Sequence, residues 1–184
     1  MKGLSFTRRF TQEAVNAFEQ FEYDYRTSVI RNPSGEVVFE MNNVEVPKQW
    51  SQIATDILAQ KYFRKAGVPQ PDSHLNNEAR QGSLGRETSV KQVAHRMVNC
   101  WTVWGERYGY FATEKDGEIF YEELVYSILN QACVPNSPQW FNTGLHWAYG
   151  IDGPGQGHWY VDHRDGTPHP SKSSYEHPQP HACF

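Results

Sequence analysis

The sequence has little cysteine, no long apolar run and no block of like charge. Cys100, Cys133 and Cys183 are its three cysteines, an odd and sparse set that suits a reducing cytoplasm better than a disulfide scaffold. No segment approaches the roughly 20 apolar residues that cross a bilayer, so no membrane partner is expected. The amino-terminal stretch has no apolar block followed by a small-residue cleavage site, so no secretion signal is expected either. Basic residues cluster no further than pairs such as Arg8-Arg9, and the formal net charge is -4. Nucleic-acid binding would need a basic footprint that this chain lacks. Aromatics, in contrast, are plentiful: six Trp, ten Tyr and ten Phe in 184 residues, enough apolar bulk for one folded domain.

Hydrophobic periodicity places the elements. Phe10, Ala14, Ala17, Phe18 and Phe21 fit a short helix. Ser28 to Val46 reads as a β-hairpin, because runs of β-branched residues flank the turn cluster Asn32-Pro33-Ser34-Gly35. A helix is expected from about Trp50 to Ala66, with Trp50, Ile53, Ala54, Ile57, Leu58 and Tyr62 on one stripe and Gly67 at its C′ position. Residues 67–87 read as a long loop. A second helix spans about Val90 to Trp104, opened by a Ser89/Gln92 capping box. Its apolar stripe is Val90, Val93, Ala94, Met97, Val98, Trp101 and Trp104. Asp116-Gly117 reads as a turn, followed by a third helix from about Phe120 to Gln131 with Leu124, Val125, Ile128 and Leu129 inward. After Asn142 the chain turns rich in Gly, Pro and His and reads as irregular, with one short strand around His158 to Val161. It closes on Ala182-Cys183-Phe184, a small apolar strand-like tripeptide that reads as an interrupted chain.

Three segments carry a likeness beyond periodicity: WSQIATDILAQKYFRKAGVP at 50–69, ETSVKQVAHRMVNCWTVWGERYGYF at 87–111, and VPNSPQWFNTG at 134–144, followed by QPHACF at 179–184. Together they resemble the amino-terminal region of the catalytic chain of class II, adenosylcobalamin-dependent ribonucleotide reductases. Gln139-Trp140 after Asn-Ser-Pro resembles the cobalamin branch in particular. The resemblance implies a mainly α (α+β) fold: a helical amino-terminal domain with a small β-hairpin over 1–144. Residues 145–184 would then be an irregular arm leading into the first strand of a ten-stranded α/β barrel that lies outside this chain. It implies that Cys183 is the first redox cysteine, and that Ser137, Ala182 and Cys183 contact the ribonucleotide substrate, a diphosphate or a triphosphate. It also implies adenosylcobalamin as cofactor, bound mainly by parts outside this chain. The partners would be the remaining barrel portion and a thioredoxin-like reductant, and a homodimer is left open for the whole enzyme.

That chemistry suits the residue types. Reducing a ribose 2′-carbon takes two electrons, and a proton for the departing hydroxyl; a thiol supplies the proton, and two thiols closing to a disulfide supply the electrons. A small Ala182 beside the thiol lets a sugar approach the backbone, and prolines on either side of Ser137 stiffen its loop. Local readings stand beside these. Cys100 and Cys133 are expected to be buried as small apolar groups. Ser137 in Asn-Ser-Pro suits a turn former. His177, His181 and Cys183 have an H-x3-H-x-C spacing that could bind zinc, which would make the chain a small interaction module instead. A non-catalytic scaffold fragment is the third reading. Metal content of the purified protein separates the zinc reading from the other two.

Overall fold

The computed structural model describes residues 3–70, 83–162 and 164–177. Strands β1 (Tyr23–Arg31) and β2 (Val37–Pro47) form the expected hairpin, longer at both ends than the sequence suggests. Gly35 takes φ +87 in its turn, where the Asn32 side chain accepts from the Glu36 amide at 2.9 Å. Met41 and Val44 are both buried, although residues three apart on a regular strand face opposite ways. A bulge resolves this: the register shifts between Arg26 and Ser28, and Asn43 opposite takes a left-handed φ of +57.

Ser51 caps helix α1 (Gln52–Ile57), accepting from the Ala54 amide at 3.1 Å. The expected helix to Ala66 does not continue. It widens into a π turn over Leu58–Tyr62, closed by the Phe63 amide on the Leu58 carbonyl at 3.0 Å. The wider turn advances the buried face to Leu58, Ala59 and Phe63 and leaves Ile53 71% exposed, with Ile57 exposed too. Gly67 is therefore no helix cap. It has φ +80 in the bend before β3 (Val68–Pro69), which pairs with β4 (Leu84–Gly85).

Helix α2 (Val90–Arg107) starts on the expected capping box, with Gln92 Oε1 accepting from the Ser89 amide at 3.1 Å. It runs one turn past the expected end. Helix α3 (Glu114–Leu129) starts earlier than expected, and Asp116-Gly117 lies inside its first turn rather than in a loop. The overlooked signal is Thr113-x-x-Asp116. Thr113 Oγ1 caps the Asp116 amide at 3.2 Å and donates to Asp116 Oδ2 at 2.6 Å. Gly117 survives within the helix because the Phe111 ring fills the space a Cβ would need.

The core lies between α2 and α3, where Val90, Val93, Ala94, Met97 and Val98 meet Val125, Ile128 and Leu129. Each such fully buried aliphatic group contributes roughly 1.5–3 kcal/mol. Trp50 closes one end of this core and its indole donates to the Leu129 carbonyl at 2.7 Å. The hairpin is tied to α2 where the Glu45 amide donates to the Thr88 carbonyl and Lys91 pairs with Glu45 at 2.7 Å. The expected helix near Phe10 is instead a run of bends and a turn, with only a 3-10 turn at Ala17–Gln20. Glu123 on α3 gathers the Arg9, Phe10 and Thr11 amides at 3.0, 3.1 and 2.9 Å, which removes those donors from any helix.

The carboxy-terminal stretch is more ordered than its composition suggests. It holds helices α4 (Ser137–Asn142) and α5 (Leu145–Tyr149), then a hairpin of β5 (Trp159–Val161) and β6 (Pro168–Pro170). The described residues are thus α+β, with helices around three two-stranded antiparallel ladders.

Candidate functional site

Arg96 interrupts the apolar face of α2. It sits three residues after Val93 and one before Met97, and its side chain is fully buried. Burial of an unpaired guanidinium would be prohibitive, so its donors must be met. Nε donates to Glu87 Oε1 at 2.6 Å, and the two terminal nitrogens donate to the carbonyls of Thr143 and Trp140, each at 2.7 Å. Glu87, also fully buried, accepts further bonds from the Arg64 amide at 2.7 Å and the Tyr149 hydroxyl at 2.8 Å. Burial and the adjacent Glu87 carboxylate push the Tyr149 phenol well above its ordinary range, so it stays a donor.

This ion pair joins four parts of the chain. It binds the carbonyl end of α4, the tail of α5, the strand-like entry to α2, and the chain leaving the π turn. Its consequence is a fixed seat for the Asn-Ser-Pro segment. Gly144, between α4 and α5, has φ +81, and a Cβ there would lie 2.0 Å from the Arg96 carbonyl oxygen. Only glycine meets both demands. Gly144→Ala is expected to cost at least about 2 kcal/mol, read as a fall in Tm. Gly150→Ala is the control: it has φ +65 but open space around it, so it should lose only about 1 kcal/mol. Equal losses would mean that the close approach to Arg96 contributes nothing.

Ser137 is the first residue of α4, and its neighbour Pro138 has the preset backbone of a helix start. Ser137 is half-buried, and its hydroxyl lies 2.9 Å from the Tyr62 hydroxyl. Tyr62 comes from the last position of the π turn. Its ring stacks on Trp140 at 5.3 Å and tilts against Phe141 at 5.4 Å. Trp140 is itself buried and donates to the Pro135 carbonyl at 2.9 Å. A serine hydroxyl so held can both donate and accept toward a polar ligand at the start of α4.

The other expected site residues are placed as follows. Ala182, Cys183 and His181 lie outside the described residues. His177 is described: its ring stacks on Tyr160 at 3.9 Å. Among the described residues no group of three His, Cys, Asp or Glu side chains is positioned to hold a metal ion. Cys100 is buried as expected, and burial pushes its thiol up to about 11. Cys133 corrects the expectation of burial, since it is exposed just beyond α3. Its amide bonds back to the Ser127 carbonyl at 3.1 Å and closes the helix, which leaves the side chain outside the core.

A cavity of about 290 Å³ lies beside α2, lined by Cys100, Trp104, Arg107, His146, Trp147 and His177 among others. A corrin with its axial groups is far larger than the drug-sized ligands that cavities of this size hold. That cavity by itself is too small to enclose the corrin.

Sequence reasoning named Ser137 as a candidate and did not single out Glu87, Arg96, Tyr149 or the hydroxyl of Tyr62. A charged residue inside an apolar helical stripe was the available signal for Arg96. Nothing local marked the other three.

The chain is similar in sequence to known proteins. A family model described as class II vitamin B12-dependent ribonucleotide reductase matches residues 24–131. The chain is 50% identical, over 200 aligned positions, to the vitamin B12-dependent ribonucleotide reductase of Bradyrhizobium diazoefficiens. It is 49% identical over 200 positions to the protein of that name from Agrobacterium fabrum. Each alignment covers 98% of this chain and 16% of the relative. A third, from Rhodopirellula baltica, is 37% identical over 183 positions, covering 99% of the chain and 16% of that protein. The chain thus spans about one sixth of the length of the curated relatives it matches.

Proposed function

Because this chain belongs to the class II vitamin B12-dependent ribonucleotide reductases, as their amino-terminal region, we propose that it supplies the first redox cysteine and one wall of the nucleotide pocket. The observation that carries this reading is the near-complete coverage of the chain by those relatives, through the Asn136-Ser137-Pro138 segment and beyond. The helical unit is residues 1–144, and 145–184 leads to the first strand of the catalytic barrel. Ser137, Ala182 and Cys183 face the ribonucleotide. The thiol of Cys183 and a second thiol from the remaining polypeptide close to a disulfide. The two electrons go to the substrate, and its 2′-hydroxyl leaves as water. A thioredoxin-like reductant reopens the disulfide. Adenosylcobalamin, held by the remaining polypeptide, supplies the radical that starts the reaction.

This division of parts makes the isolated chain inactive. With adenosylcobalamin, dithiol and ribonucleotide, the 184-residue chain alone is expected to form no deoxynucleotide by chromatography. The complete reductase, this region joined to or mixed with the barrel polypeptide, is expected to form it. Cobalamin-dependent product from the chain alone would overturn the proposal.

A further inference from the structure

We propose that Tyr62 is a positioning residue for ribonucleotide binding, acting through the Ser137 hydroxyl; this rests on the reading that Ser137 faces the substrate. A serine hydroxyl at a helix start has three staggered rotamers and a freely turning proton. The Tyr62 hydroxyl, 2.9 Å from Ser137 Oγ, is the group that fixes both. A phenol is the better donor of the two. Either hydroxyl can donate in this bond; in the proposed arrangement Tyr62 donates to Ser137 Oγ, and the serine proton is left to point at an acceptor oxygen of the nucleotide.

Tyr62 is well placed for such a task because it is itself held. Trp140 and Phe141, both on α4, pack against its ring. The Arg96 guanidinium fixes the Trp140 carbonyl from below. The ring reaches α4 because the π turn widens the end of α1, and the Phe63 amide closes that turn five residues back on Leu58. An irregularity of this kind costs regular helical hydrogen bonding, and such turns occur frequently at functional sites. The aromatic packing alone would be met equally well by phenylalanine. The hydroxyl is what the packing does not explain.

The test is a double-mutant cycle in the complete reductase, with Tyr62→Phe, Ser137→Ala and the pair, reading kcat and KM for the ribonucleotide. Ser137→Ala is expected to raise KM roughly fivefold to tenfold, as for the loss of one hydrogen bond to a polar ligand. Tyr62→Phe is expected to raise KM roughly threefold to fivefold with Tm unchanged, since the ring remains. In the Ser137→Ala background the same Tyr62→Phe change should have no further effect. An unchanged KM in Tyr62→Phe, beside a raised KM in Ser137→Ala, would overturn the role of Tyr62 and leave the substrate wall standing. A Tyr62→Phe effect that persists in full without Ser137 would overturn the route through serine. An unchanged KM in Ser137→Ala would remove the substrate-facing reading itself, and this inference with it.

Discussion

Cys183→Ser in the complete reductase is expected to cut sustained deoxynucleotide formation on the order of a thousandfold or more. A serine hydroxyl cannot close to a disulfide, so under the proposed function the variant loses its source of the two electrons. Substrate binding should persist, because the change replaces a single atom. The remaining cysteines are built-in controls. Cys100 is buried, and its thiol is pushed up to about 11, so almost none of it is thiolate near neutrality. Cys133 is exposed and reactive in principle, but sits beyond α3 on a helix-closing turn. Cys133→Ser should leave turnover within about twofold, as surface changes do. Deoxynucleotide assays with excess dithiol decide the matter. Wild-type turnover in Cys183→Ser, with loss in Cys133→Ser, would transfer the redox role to Cys133.

The second large effect concerns stability. Arg96→Ala is expected to cost about 3–5 kcal/mol, because it strands the buried Glu87 carboxylate. For a chain of this size that is on the order of 10 °C in Tm. Replacing both partners usually relieves such a penalty, since two apolar groups need no desolvation. Here it should not. The Thr143 and Trp140 carbonyls, the Arg64 amide and the Tyr149 hydroxyl would all lose their partners. Each buried polar group left unsatisfied costs about 1–3 kcal/mol. Glu87→Leu with Arg96→Met should therefore remain several kcal/mol below the wild type in urea unfolding, by roughly the same reasoning. A double variant as stable as the parent would show that the network is dispensable to the fold. Its loss should also free α4, so nucleotide affinity is expected to fall in any variant that still folds.

The sequence by itself determined the periodic parts of this protein. The hairpin around Asn32–Gly35, the buried stripe Val90–Val98 and the Ser89/Gln92 cap follow from spacing and turn chemistry, which act over a few residues. Local pattern also carried the family likeness, because Asn136-Ser137-Pro138 and the flanking helices are contiguous in sequence. Where neighbours in space mattered, local pattern misled. The α1 stripe was read through Ile53, Ile57 and Leu58; Leu58 is buried, but Ile53 and Ile57 are exposed, and past the π turn burial passes to Ala59 and Phe63. The stretch after Asn142 looked irregular, yet it opens on α5, which the Tyr149 hydroxyl ties to the buried Glu87 carboxylate. Tyr62 meets Ser137 across 75 residues of sequence, and Glu87 meets Tyr149 across 62. No short window contains both partners of either bond. Such pairings arise only when a core has formed and buried charges and hydroxyls must find whatever partner the packing brings within reach.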